Sequence, residues 1–328
     1  MLNRKSQSLR AQQILVAISV ILFIAKLIAY YYTNSVAVLT DALESTVNVV
    51  AGFIGLYSLH LSAQPRDANH PYGHGKVEFL SAAVEGTFVL IAGLIIIYEA
   101  IVNLLHPHEL QNMDKGILII AATAIINYLV GEFCVRTGKK NSSLALVASG
   151  THLKTDTYTT AGLVAGLILL YFTGIKWLDS AVALVFAFVI IRTGFLILRE
   201  SISGIMDEAD EALVGQIVAV LNERRQPNWI DVHHLRVVNY AGFFHIDCHL
   251  TVPRFFNVGE GHDEMERLQG VLGQHFEGEA EFSIHIDPCI PAQCGICEQQ
   301  NCPVRSSPFS EKLAWTVENF QQNQKHQI

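Results

Sequence analysis

The chain has 328 residues, 51% of them hydrophobic and only 16% charged, with a formal net charge of −8. Soluble domains carry about 25% charged residues, so a wholly soluble chain is disfavoured, and the acidic balance argues against nucleic acid as a partner because that needs a basic patch. The shortage of charge is confined to residues 11–200, whereas residues 200–328 have the make-up of a soluble protein, so one part is expected in lipid and one in water.

A helix crosses a bilayer with about 20 apolar residues. Six stretches meet this requirement, at 12–32, 36–61, 79–105, 116–137, 144–173 and 177–198. The second and fifth carry polar residues inside them, which suits helices that line a path rather than face lipid. Arg4, Lys5, Arg10, Arg66, Lys76, Arg136, Lys139, Lys140 and Arg199 fall on one side, against Lys115 and Lys176 on the other. That bias predicts both termini in the cytoplasm, with the protein in a bacterial-type inner membrane.

The second stretch contains Asp41, Glu44 and Asn48, and the fifth contains His152 and Asp156. Residues four apart share a helix face, so Glu44 with Asn48, and His152 with Asp156, each present two oxygen or nitrogen donors on one side. An ionised carboxylate in hydrocarbon costs several kcal/mol unless it is paired or hydrated, and a divalent cation would supply the missing charge. Such a set suits a tetrahedral Zn²⁺-like site and leaves Fe²⁺, Mn²⁺ and Co²⁺ open. From the residues alone, helix capping or a water cavity remains an alternative, and for Asp41 a relay or gating role fits better than ligation. In the loop that follows, Asp67, His70 and His74 have metal-ligand spacing, although a solvated loop capping the third helix explains them equally well.

The soluble half predicts a helix at 208–225, strands at 231–240 and 243–252 joined at Ala241-Gly242, a helix at 261–276 and a strand at 281–287. This order reads as a small α+β domain. Seven of the fourteen histidines fall between 233 and 285. Cys289, Cys294, Cys297 and Cys302 form C-x4-C-x2-C-x4-C, which could close an all-thiolate zinc site or remain unused thiols. From 303 onward the chain is rich in Gln and polar residues and is expected to be largely disordered, with a short helix near Trp315. The expected division is therefore a membrane-spanning domain at 1–206, a small α+β domain at 207–290, and a Cys-containing tail at 291–328.

With these pieces in place, the chain resembles the cation diffusion facilitator family of divalent metal–proton antiporters. The resemblance rests on Asn-Ser-Val-Ala-Val-Leu at 34–39, the acid and amide at 44 and 48, His-Pro-Tyr-Gly-His-Gly-Lys at 70–76, and His152-x-x-x-Asp156. It implies a membrane all-α domain of six transmembrane helices followed by a metallochaperone-like α+β cytoplasmic domain. It also implies a transport site at Glu44, Asn48, His152 and Asp156, and a loop site at Asp67, His70 and His74. Cytoplasmic ligands would be His234, His249, His262, His285 and Asp287 at the interface of a homodimer. His233, His245 and His275 receive no such assignment. Glu44 and Asn48 depart from the family's usual Asp or His pair, which bears on the choice of metal. The implied activity is proton-coupled efflux of a divalent transition metal, Zn²⁺ first, with metal as both cargo and regulator and no enzymatic step. A non-transporting membrane metal sensor is the alternative.

Overall fold

The computed structural model describes residues 2–33, 36–105, 113–173, 177–276 and 278–327; within the helices, the side chains of Asp41 and Glu44 lie outside the described residues. The chain separates into two compact units, Met1–Met206 and Asp207–Ile328.

The first unit is built from α1 (Leu2–Thr33), α2 (Val36–Ser62), α3 (Val77–Leu105), α4 (Met113–Asn141), α5 (Leu144–Thr173) and α6 (Trp177–Ile205). Each apolar stretch expected from the sequence falls inside one of these helices. By length and composition, Ser6–Ile28 and Val77–Val102 suffice to cross a membrane among the described residues. Ile21, Ile24, Leu94, Tyr98, Leu129, Phe188 and Phe195 are exposed, while Gln12, Asn48, Glu85, Ser149, His152 and Asp156 are buried beside apolar residues such as Leu15, Leu146 and Leu153. An apolar skin around an interior that carries polar and ionisable groups matches a hydrocarbon solvent.

Helix α5 packs on α2, α3, α4 and α6, and α3 lies along α6. The α4–α5 crossing is close because glycine stands on both sides. A Cβ at Gly131 would lie 2.7 Å from the Gly150 carbonyl oxygen, and a Cβ at Gly150 would meet the Gly131 oxygen at 2.7 Å. Small residues let membrane helices approach backbone to backbone in this way. Glu85, a buried acid to which the sequence assigns no role, accepts from Ser149 Oγ at 2.7 Å, and that hydroxyl accepts from Gln12 Nε2 at 3.2 Å.

The second unit contains α7 (Glu211–Glu223), β1 (Asp231–Tyr240), β2 (Phe243–Val252), α8 (Val258–Phe276), β3 (Ala280–Pro288) and α9 (Val317–Gln321). Asp210 caps α7 by accepting from the Ala212 and Leu213 amides. The sheet order is β1-β2-β3, with β1/β2 antiparallel and β2/β3 parallel. Ala241 and Gly242 both take positive φ, 52° and 86°, as a two-residue hairpin turn demands. The helices cover one face, where Ile217, Leu221, Trp229, Ile246, Leu250, Leu268 and Leu272 form the core. Buried Glu264 is satisfied by Trp229 Nε1 at 3.0 Å, Asn228 Nδ2 at 2.7 Å and Arg267 at 2.7 Å.

The expected disorder beyond residue 303 is corrected by the structure. Trp315 and Phe320 are 4% and 0% exposed and belong to the same core. The Arg225 guanidinium stacks 4.0 Å from the Trp315 ring and donates to the Leu313 carbonyl at 2.6 Å. Thr316 caps α9, and the His234 amide donates to the Gln322 carbonyl at 2.8 Å. Two large aromatic anchors outweigh a polar average, since each buries roughly 150–250 Å².

Candidate metal sites

Helices α2 and α5 bring Asn48, His152 and Asp156 together, each no more than 7% exposed. The Asn48 amide donates to Asp156 Oδ2, and His152 Nε2 lies 3.9 Å from Asp156 Oδ1. Among the described residues, neither ring nitrogen of His152 has a hydrogen-bond partner, and neither does Asn48 Oδ1. Orphaned polar atoms this deep are costly, so among the described residues the set presents donor atoms that call for a further partner. Lys154, two residues from both His152 and Asp156 on α5, is paired with Glu132 at 2.7 Å. Glu44, expected to complete this set, and Asp41, for which a relay or gating role fits better, lie outside the described side chains.

The loop between α2 and α3 gathers Asp67, His70 and His74, whose ligand atoms lie within 4.8 Å of one another. Asp67 Oδ1 accepts from the Asn69 and His70 amides at 2.9 and 2.7 Å, and the Gly73 amide donates to the His70 carbonyl at 2.9 Å. The His70 amide is the main reason the Asp67 carboxyl sits below its usual range. His70 Nδ1 is 3.3 Å from Oδ1 and His74 Nε2 is 3.4 Å from Oδ2. Gly73 supplies the φ of +95° at which the loop turns back.

On the sheet, the strand register aligns His233, His249 and His285 across β1, β2 and β3. The group with ligand atoms within 4.8 Å is His233, His249 and Asp287. Asp287 Oδ2 lies 3.1 Å from His249 Nδ1 and 3.4 Å from His233 Nε2. Behind His233, Asp231 Oδ2 is 3.4 Å from Nδ1, within ion-pair reach, although Nδ1 has no hydrogen-bond partner among the described residues; a carboxylate behind an imidazole is where metal-binding histidines find their orienting partner. Burial pushes the His249 pKa below its ordinary 6.5 despite the adjacent Asp287. Burial raises the Asp287 carboxyl, but Lys325 and His249 outweigh it and hold the group below its usual range.

Of the cytoplasmic residues expected as ligands, His249 and Asp287 fall in this tight group. His285 is at its edge, with Nε2 3.8 Å from Asp287 Oδ1 and its ring 4.7 Å from that of His249. His262 is elsewhere, exposed on α8 and 3.4 Å from Glu266. His233, which the sequence reading set aside, stands in the tight group, and His234 flanks it with its ring 4.8 Å from His249. The cause is a bulge between His233 and Arg236, with φ of +57° at His234. Regular alternation would send adjacent residues to opposite faces; the bulge lets both rings approach His249. The tail also reaches this cluster, a second feature the sequence did not signal. Lys325 Nζ lies 3.2 Å from Asp287 Oδ1, and His326 Nδ1 lies 2.9 Å from Asp231 Oδ1.

Cys289, Cys294, Cys297 and Cys302 are free thiols lining one pocket. Cys134 and Cys248 are buried packing residues, and burial pushes the Cys248 thiol up to about 12.

Comparison with known proteins agrees with this layout. Residues 13–206 match the cation efflux transmembrane domain and residues 209–289 match the cation efflux protein cytoplasmic domain. The chain is 35% identical over 263 residues to an uncharacterized transporter of Synechocystis sp., covering 80% of this chain and 84% of the relative. It is 25% identical over 279 residues to the cation-efflux pump FieF of Pectobacterium atrosepticum, covering 83% and 90%. It is 27% identical over 276 residues to FieF of Yersinia pestis, again covering 83% and 90%. With both domain families matched in order across most of its length, the chain belongs to the cation diffusion facilitator family of membrane-embedded cation efflux transporters.

Proposed function

We propose that this protein carries a divalent transition-metal cation out of the cytoplasm by alternating access, in exchange for protons. Zn²⁺ is the first choice of cargo, and the oxygen and nitrogen donor set also admits Fe²⁺, Mn²⁺ and Co²⁺. In this reading α1 to α6 all span the membrane, both termini are cytoplasmic, and the cytoplasmic domain pairs two chains.

The observation that carries the reading is the buried His152 imidazole, with neither nitrogen partnered among the described residues, next to Asp156 and Asn48. Cargo binding takes neutral imidazole and ionised carboxylate, so it expels protons. In the present arrangement the Asn48 amide N–H neutralises part of the Asp156 charge. A cation arriving at Asp156 displaces that donor, and turning the amide then offers the unpartnered Oδ1 to the metal. Glu44, one turn before Asn48 on α2, is the fourth ligand in this proposal. When the site faces the periplasm, protons compete for His152 and the carboxylates and release the cargo.

The sheet cluster fits a regulatory cation. His233, His249 and Asp287 would hold it, with Asp231 fixing the His233 ring, and the ion would add positive charge that draws these groups together. Lys325 already places an ammonium on Asp287, so metal and tail compete for one carboxylate. The Asp67, His70 and His74 loop is the proposed entry site.

The test is metal uptake into inverted or reconstituted vesicles under an imposed pH gradient, comparing Zn²⁺, Fe²⁺, Mn²⁺ and Co²⁺. Gradient-dependent uptake of one ion supports the reading. Uptake that ignores the gradient removes the antiport step, and folded protein that binds metal but moves none points to a sensor.

A further inference from the structure

The match to the cytoplasmic domain family ends at residue 289, the first of the four clustered cysteines. The segment that follows is a separate construction. It leaves β3, makes a 3-10 turn at Pro291–Gly295 and folds back, so that Cys289, Cys294, Cys297 and Cys302 line one pocket together with Arg254 and Arg305. Cys294 and Cys297 are 8% and 6% exposed.

The pocket is held from several sides. Arg305 donates to the carbonyls of Cys294 at 3.1 Å, Cys297 at 3.0 Å and Ser307 at 3.3 Å, and also to that of Gln299. The Ser310 amide donates to the Gly295 carbonyl at 2.7 Å, and Ile296 with Cys297 packs against Ile230 and Leu313. Hydrogen-bond donors also converge on the sulfurs. The Ser306 amide and hydroxyl reach Cys294 Sγ at 3.4 and 3.3 Å, and the Arg254 amide reaches Cys289 Sγ at 3.4 Å. A thiol sulfur is a weak acceptor, whereas a metal-bound thiolate gains from such donors, which are a lever on thiolate centres. Two guanidinium side chains beside four thiols supply the counter-charge such a centre would need.

The spacing of the sulfurs bears on the kind of centre. One tetrahedral ion with Zn–S of about 2.3 Å would draw its sulfurs to about 3.8 Å from one another. Among the described residues, the groups whose ligand atoms lie within 4.8 Å of one another include no cysteine, although all four line the same pocket. Four thiolates spread around a shared space suit a polynuclear centre. Iron–sulfur clusters are held by four cysteine thiolates, the number that this segment supplies.

We propose that Cys289, Cys294, Cys297 and Cys302 hold an iron–sulfur cluster next to the cytoplasmic histidine cluster of the same unit. The link between the two is short. Gln293, within the cysteine turn, donates to Asp231 Oδ2 at 3.5 Å, and Asp231 stands behind His233. Gln299, between Cys297 and Cys302, donates to Asn228 just ahead of β1. The order of the cysteine loop thus bears directly on the strand that carries His233.

The test uses the full chain isolated in detergent without oxygen, assayed for iron, acid-labile sulfide, zinc and visible charge-transfer absorption. Iron and sulfide in equal amounts are expected, with absorption that dithionite bleaches. The iron content should fall at least ~10-fold in Cys294→Ser and in Cys297→Ser and stay unchanged in Cys134→Ser. To separate ligand loss from misfolding, cluster is stripped from the wild-type protein with ferricyanide and chelator, then rebuilt with Fe²⁺ and sulfide. Return of the absorption supports the proposal, and failure to return in protein whose tryptophan fluorescence is native overturns it. A single zinc per chain without sulfide overturns the cluster assignment. Four thiols that remain freely titratable after incubation with Fe²⁺ and sulfide overturn the site altogether.

Discussion

The bundle site and the sheet site use the same chemistry, imidazole beside carboxylate, and they differ in what surrounds it. In the bundle, the His152 nitrogens are buried and unpartnered among the described residues. On the sheet, Asp287 is answered by Lys325, and Asp231 by His326 and His233. A site that is incomplete by itself gains most from an incoming cation and suits transient occupation by cargo. A site that already carries its own cation binds metal only when metal outcompetes the tail, which suits sensing of concentration.

That contrast can be broken or sharpened by experiment. The largest effect is expected from Asp156→Asn or His152→Ala, which should lower vesicle uptake by at least ~100-fold, about 2.7 kcal/mol of binding. Metal binding by the cytoplasmic cluster should be unchanged in the same proteins; loss of both would mean that the two sites are not independent. Trp315→Ala should destabilise the soluble unit by about 3–5 kcal/mol, as large-to-small core changes do. Urea unfolding of the full chain followed by fluorescence checks this, and an unchanged midpoint would show that the tail does not belong to the core.

Smaller effects concern the cytoplasmic cluster. His249→Ala should weaken its metal affinity ~10–100-fold while leaving His152-dependent uptake at high metal concentration. Lys325→Ala should act in the opposite direction and tighten metal binding by a few-fold, about 1 kcal/mol, because it removes the competing ammonium from a partly exposed pair. Isothermal titration separates these signs. The pH dependence follows from His249, whose pKa is lowered below 6.5. Its neutral, ligating form persists below that value, so the His249 contribution to metal affinity should be lost only at more acid pH. By the same sign, protonation of this imidazole favours the unfolded chain, so its contribution to acid destabilisation begins as pH drops through 6.5.

The helices and the hairpin were legible because apolar run length, period-2 alternation and the Ala241-Gly242 turn are local signals. So were Asp67, His70 and His74, where three donors sit within one turn-rich loop. His233 was not legible. Only a bulge lets it and His234 both approach His249, and nothing in His-His-Leu-Arg announces positive φ at a histidine. The tail was misread for a related reason. Trp315 acts through Asn222 and Arg225, His326 through Asp231 at 95 residues' remove, and Lys325 through Asp287, so composition within the tail carried no sign of them.

The most direct test of the central claim is anomalous diffraction at the zinc edge from crystals of the protein grown with Zn²⁺. The expected result is a peak between α2 and α5, about 2.0–2.2 Å from a His152 nitrogen and an Asp156 oxygen, that disappears in His152→Ala. Peaks confined to the Asp67 loop and the sheet cluster, with the space beside His152 filled by water or side chains, would contradict the assignment of this buried set as the cargo site.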